Sequence, residues 1–315
     1  MDKAIAIIPV HSEAPTIASV VLTARAYLPV IVVDDASEDG SGQHAVDAGA
    51  IVLTLSTHCG KGVALRRGFA EVLRRGATTV VTLDGEGQHD PRDIPRLLAA
   101  SRRWPESMIV GGRLDSAEAI PLPRFYAMQV ASFWINWLGQ CHVQDTQSGF
   151  RLYPATLLRT LLLRHGGFLF ESEVLIKAAQ AGWRVCEIPI RAVYPRGRTS
   201  QYRPLRDGIP LTAYLLYRGV RFWPAQCWLA CLGWRMEDKA VRHHVWRCTY
   251  VAAWATLLLP LLGLCVLAYL CAGHVGKTLL TVAIRWFYNP RLFAHPPAVT
   301  RVLHDRYRLK RWKFV

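Results

Sequence analysis

Short aliphatic runs alternate with segments of helical spacing over the first 112 positions of the chain. AIAIIPV (4–10) precedes a helix near 15–27, VIVVDD (30–35) precedes one near 40–48, and AIVLTL (50–55) precedes GKGVALRRGFAEVLRRG. In that last stretch Val63, Phe69, Val72 and Leu73 recur at helical spacing, with Arg66, Arg67, Arg74 and Arg75 on the other face. TTVVTLD (78–84), a helix opened by Pro91 and MIVGG (108–112) continue the series. Strands that are apolar throughout, each followed by a helix, predict an α/β fold whose parallel sheet is covered on both faces. Right-handed crossovers then bring the strand C-termini to one edge, where such sheets bind ligands.

From about 122 the pattern loosens. A helix through RFYAMQVASFWINWLG leads to SGFRLYP, then to helices near 155–163 and 171–182 and to a strand WRVCEIPI (183–190). After 191 the composition turns to Arg, aromatic and apolar residues. Residues 250–272 carry no charged side chain over 23 positions, long enough for the roughly 30 Å hydrocarbon layer. Pro260 and Gly263 lie inside this run, and basic residues flank both ends, so a re-entrant segment and a single span both fit. The stretch 210–234 is interrupted by Arg218 and Arg221 and reads as an interfacial amphipathic segment. The expected organisation is a catalytic domain at 1–208, an interfacial linker at 209–248, a membrane helix at 249–273 and a basic tail at 274–315.

Charge sharpens that division. Residues 1–190 hold 18 Lys and Arg against 19 Asp and Glu, whereas 191–315 hold 20 against 4. A near-neutral domain followed by a strongly basic segment points to phosphate, and the interleaved uncharged run favours a membrane over nucleic acid. With 51% hydrophobic and 19% charged residues, a 315-residue chain buries a real core, which excludes intrinsic disorder. The eight cysteines form no CxxC pair and read as reduced thiols, not as a zinc site or a disulfide framework. AIAIIPV is too short for an export-signal core and reads as the first strand.

The strongest chemical signal is DGEGQHDP (84–91), at the end of a hydrophobic strand. Two carboxylates one residue apart, on a turn loosened by Gly85 and Gly87, can share a hard divalent cation and leave its other positions to diphosphate oxygens. Asp90 reads as the cap of the helix that Pro91 opens. VVDDASEDGS (32–41) ends the second strand on the same edge, where a carboxylate can accept hydrogen bonds from a base or ribose. The chain has neither a GxGxxG after its first strand nor a GxxxxGK[ST], which argues against dinucleotide oxidoreductases and P-loop NTPases.

IPVHSE, VVDDASEDGS, GKGVALRRGF, VTLDGEGQHDP, VGGR, QDTQSGFRLYP and FESEVLIKAAQAGWRVCEIPI occur in the order found in family-2 glycosyltransferases. The set resembles most the dolichol-phosphate mannose synthase, or polyprenyl-phosphate glycosyltransferase, branch, over about residues 4–207. The resemblance implies a GT-A fold, Rossmann-like with a mostly parallel sheet. It implies an inverting transfer of a sugar from a nucleotide-diphosphate donor to a lipid-linked acceptor, polyprenyl phosphate foremost, with Mg2+ or Mn2+. The place implied is the cytoplasmic face of a membrane, the bacterial inner membrane. Transfer to a lipid hydroxyl and a non-catalytic scaffold that binds nucleotide-sugar are the alternatives.

Carried over by position, Pro9, His11, Glu13, Val33, Asp35 and Gly85 fall at nucleotide contacts, and Asp84, Glu86 and Gln88 at the metal and diphosphate. Arg113 and Arg151 fall among the catalytic group, and Arg124, Arg196 and Arg198 toward the acceptor phosphate, for which guanidinium forks are suited. The chain departs from the branch at three points: His11-Ser12 stands where Tyr or Phe then Asn is usual, Glu86 stands for a second Asp, and Pro195 and Gln201 occupy the places of an Arg and a Lys. Arg196, Arg198 and Arg203 are the expected substitutes. Glu171 reads as a cap, and it or Glu173 as a general base for a hydroxyl acceptor; a phosphate acceptor needs none.

Overall fold

The computed structural model describes residues 3–113, 122–139, 141–167, 169–191, 210–215, 217–219 and 221, with the backbone alone for 122–130. The chain divides into two compact units, one of residues 1–120 and 141–213 and one of 121–140 and 214–315.

In the first unit the apolar runs become β1 (Ala4–Val10), β2 (Val30–Asp34), β3 (Ile51–Thr54), β4 (Thr79–Thr82) and β5 (Ser107–Gly112). Between them lie α1 (Ala14–Arg25), α2 (Ser41–Asp47), α3 (Lys61–Arg74) and α4 (Ile94–Arg103), the last entered through a 3-10 turn at Pro91–Asp93. Asp90 caps that turn by accepting from the Arg92 N–H at 3.0 Å. β6 (Arg151–Pro154), α6 (Ala155–Thr160), α7 (Leu169–Gln180) and β7 (Arg184–Pro189) complete the unit. In the second unit α5 (Leu122–Gly139) carries Trp134 edge-on between Phe133 and Trp137.

The seven strands run in the order β3-β2-β1-β4-β6-β5-β7. β1, β2, β3 and β4 are mutually parallel, as are β5 and β7, but β6 pairs antiparallel with both β4 and β5. The mostly parallel sheet that the resemblance implies is the one that forms, with β6 as its antiparallel strand. RLYP is too short, and too polar at its ends, to register as a buried strand by pattern. Exposed positions fall on the two edge strands, β3 and β7, while the central strands are largely apolar and almost wholly buried, as two-sided covering demands. Pro9 is tolerated in β1 because pairing with β4 ends at Ile7–Thr82, so on that side its missing N–H breaks no ladder bond.

The burial of α3 deepens the sequence reading. Ala64, Leu65, Gly68, Phe69 and Val72 form its inner face, whereas Val63 and Leu73 are only half-buried. Gly68 sets the depth: a Cβ there would lie 2.7 Å from Ile7 Cγ2, so only glycine lets the helix lie this close to the sheet. That approach fixes where the N-terminus of α3, and Lys61 with it, meets the strand ends.

Candidate active site

Asp84 follows β4 at the C-terminal edge of the sheet and meets residues from three other segments. Lys61, the first residue of α3, places Nζ 2.6 Å from Asp84 Oδ1 and 2.7 Å from Oε1 of Glu171 on α7. A lysine at a helix N-terminus opposes the helix dipole, so these two carboxylates, not the helix, explain its position. Asp84 Oδ2 lies 3.6 Å from His89 Nδ1. Burial works against the Asp84 charge, but Lys61, His89 and Arg113 together hold its carboxyl below the usual carboxylate range. Burial pushes the His89 imidazole down to about 4, so it is neutral at neutral pH.

The loop before β6 packs against this centre at Gly149. A Cβ there would lie 2.6 and 2.7 Å from the two Asp84 oxygens and 2.8 Å from Lys61 Nζ, so no larger residue fits. Arg151 does not face a substrate phosphate as its place in the motif implied, and that role is corrected. It is fully buried, and Nε, Nη2 and Nη1 donate to the carbonyls of Ser148, Thr146 and Glu171 at 2.6, 2.8 and 2.9 Å. It ties the 146–149 loop to α7 and so holds Gly149 and Glu171 in place.

Glu86 and Glu13 add charge of the same sign. Burial first, then the neighbouring Asp84 and Glu13 carboxylates, push the Glu86 carboxyl up to about 7. Asp84 and Glu86, carboxylates that resist joint ionisation, are the oxygen donors here that could hold a hard divalent cation. Gln88, the third residue of the expected set, has its Oε1 accepting from Arg113 Nη1 at 3.4 Å. Arg113 itself forks onto Asp145, and the backbone N–H groups of Gln144 and Asp145 donate to Glu187 on β7 at 2.7 and 2.8 Å.

Beside this centre lies a flatter site. Asp35, just after β2, accepts from the backbone N–H groups of Cys59 and Gly60, each at 2.7 Å, and pairs with His58 Nδ1 at 3.0 Å. His11 donates through Nδ1 to the Asp35 carbonyl at 2.8 Å and stacks on His58, with ring centroids 4.0 Å apart. Among the described residues, His11, Asp35 and His58 form the one group of three that brings ligand atoms within 4.8 Å of one another. These atoms could hold a metal ion, and the stacked imidazoles could equally offer a ring face to a planar base. Pro9 and Val33 are register partners under this platform, Glu13 is buried beside Ser41, and the Gly85 carbonyl accepts from Thr16 Oγ1 at 2.8 Å.

Lys61, His89, Asp145, Glu187 and Gly149 were not singled out by sequence. GKG and QDTQSG flagged their segments, but only the folded chain brings them together. Arg124 lies on α5, where the backbone alone is described; Arg196, Arg198, Arg203 and the uncharged run 250–272 lie outside the described residues. Among the described residues no helix is long and apolar enough to cross a membrane.

Residues 5–137 match the family described as Glycosyl transferase family 2. The undecaprenyl-phosphate mannosyltransferase of Micrococcus luteus is 30% identical over 210 residues, which cover 61% of this chain and 84% of that protein. The polyprenol monophosphomannose synthase of Mycolicibacterium smegmatis is 28% identical, covering 60% and 77%. Among solved structures, glucosyl-3-phosphoglycerate synthase from Mycobacterium tuberculosis in complex with Mg2+ and uridine diphosphate superposes with a TM-score of 0.52 at 21% identity, covering 69% and 79%, a likeness of fold alone.

Proposed function

Because the chain belongs to glycosyl transferase family 2, we propose that it transfers a sugar from a nucleotide-diphosphate donor to polyprenyl phosphate at the cytoplasmic face of a membrane, with inversion at the anomeric carbon. The observation that carries this reading is the meeting of Asp84, Glu86 and Arg113 at one edge of the sheet, beside the Asp35–His11–His58 platform. The platform takes the base, with His11 and His58 offering ring faces. A divalent cation bound at Asp84 and Glu86 would supply positive charge to the departing diphosphate. Arg113, held in place by Asp145, points a guanidinium at phosphate oxygens near the reacting bond. The acceptor oxygen attacks the anomeric carbon in line as the bond from that carbon to the diphosphate breaks.

Three residues further along the chain belong to the acceptor side of this reading. Arg124, Arg196 and Arg198 meet the acceptor phosphate, and the run 250–272 with its basic flanks holds the chain at the lipid. A phosphate acceptor is favoured over a hydroxyl by the state of the two carboxylates a hydroxyl would need. Glu171 is buried and paired with Lys61, while Glu173 is buried and bound by Lys177, His165 and two backbone N–H groups. Both carboxylates are engaged by a lysine, whereas a phosphate monoester arrives already ionised and needs no base. The names of two relatives, an undecaprenyl-phosphate mannosyltransferase and a polyprenol monophosphomannose synthase, support the same choice. Membranes containing the chain, incubated with a panel of radiolabelled nucleotide sugars and extracted for lipid, test the reading. Label in a mild-acid-labile lipid phosphate supports it; label only in water-soluble products contradicts it.

A further inference from the structure

Lys61 is the cation already present in the acidic centre. Its Nζ spans two carboxylates from different elements, Asp84 Oδ1 at 2.6 Å and Glu171 Oε1 at 2.7 Å, so two of its three N–H donors are committed. The Gly149 backbone closes one side of the pair and leaves no room for a Cβ. On the far side Glu171 is buried, and its Oε2 has no hydrogen-bond partner among the described residues. A buried carboxylate with one oxygen unpaired has capacity to hold the ammonium more fully than it does here. The Arg151 hydrogen bond to the Glu171 carbonyl fixes that residue where it can do so.

We infer that Lys61 is a positioning residue that competes with the divalent cation for Asp84, and that Glu171 is the second anchor to which its ammonium retreats when the cation binds. The inference rests on the proposed cation site at Asp84. Without a dication, lysine neutralises and orients the Asp84 carboxylate. With one, two like charges face each other across a single carboxylate, and the site is tuned to bind the cation less tightly than its acidic residues alone would. Diphosphate oxygens, arriving with opposite charge, then offset the repulsion, so cation and donor favour each other's binding.

The test is Mn2+ binding to the purified full-length chain, followed by the electron paramagnetic resonance of free Mn2+ without any donor or acceptor. Lys61→Met is expected to bind Mn2+ about tenfold tighter or more than the wild type, because a fixed like charge has been removed beside the ligand. Lys61→Arg keeps the charge and is expected to stay near the wild-type value. Glu171→Gln removes the retreat position and is expected to weaken binding several-fold, about the effect of losing one close charge partner. That last variant keeps the test decisive if Lys61→Met fails to fold. Mn2+ affinity unchanged or weaker in Lys61→Met, with binding still lost in Asp84→Asn, overturns the competition and leaves the cation site standing. Equal Mn2+ binding by the wild type and Asp84→Asn overturns the cation site itself, and the competition with it.

Discussion

Arg113 grips Asp145 along one edge of its guanidinium, with Nε 2.7 Å from Oδ2 and Nη2 3.1 Å from Oδ1, while its own backbone N–H reaches Oδ2 at 3.2 Å. The pair is set by a second carboxylate, since Glu187 accepts the backbone N–H of Asp145 at 2.8 Å. Asp145, whose main chain is held by the Glu187 side chain on β7, thus fixes the guanidinium of the arginine that leaves β5. The consequence is a site whose central positive charge cannot swing.

Lysine in that place keeps the charge but loses the fork. Arg113→Lys is expected to lower kcat/KM for transfer by about tenfold or more, the usual cost of losing a bidentate charge-assisted pair. Nucleotide binding measured by calorimetry is expected to change much less. Full transfer activity in Arg113→Lys would remove the guanidinium geometry from the mechanism.

The Glu86 carboxyl makes a forecast about pH. Its value rises from 4.5 to about 7 on folding, so between those values the folded chain holds a proton that the unfolded chain has lost. Stability of the cation-free protein therefore falls as pH rises from about 4.5 to about 7 and levels above it. Cation binding has the opposite slope, because it takes the ionised carboxylate: Mn2+ affinity is expected to strengthen with pH up to about 7 and then flatten. Glu86→Gln is expected to remove both slopes. A Mn2+ affinity independent of pH across this range in the wild-type chain contradicts the assignment of Glu86 to the cation.

Much of this was readable before folding. The apolar runs at 4–10, 30–35, 50–55, 78–84 and 108–112 became strands because buried parallel strands need continuous apolar sequence. Asp84 and Glu86 were legible because a Gly-flanked acidic turn at a strand end is itself a chemical signal. β6 was not, since four residues ending in Arg and Pro carry no period, and its pairing with β4 joins segments far apart in sequence. Arg151 was misjudged for a related reason: a guanidinium serves phosphate or three backbone carbonyls equally well, and sequence does not show which surrounds it. Lys61 escaped notice because its partners, Asp84 and Glu171, come from other elements.

Membrane attachment is expected to rest on the residues after 208, where the uncharged run 250–272 and most of the basic excess coincide. Salt at 1 M shrinks the Debye length to about 3 Å and screens attraction to anionic headgroups, but leaves apolar burial intact. Full-length protein is therefore expected to sediment with membranes through 1 M salt and through an alkaline carbonate wash. Release by salt alone would show an electrostatic, peripheral attachment and contradict an embedded 250–272 segment.

In the proposed function Asp84 holds a cation that makes sugar transfer possible, whereas Asp90, six residues on, only caps the turn at Pro91. Transfer from the nucleotide sugar identified in the panel, measured at saturating Mn2+ for Asp84→Asn and Asp90→Asn side by side, separates the two roles most directly. An amide at position 84 supplies no charge to the cation, and transfer is expected to fall by about a thousandfold or more, as when a main electrostatic stabiliser of a transition state is lost. An amide at position 90 can still accept the Arg92 N–H, and Asp90→Asn is expected to keep activity within about twofold of wild type, since Asn caps nearly as well as Asp. Equal activity in the two variants, both near the wild type, would contradict the account.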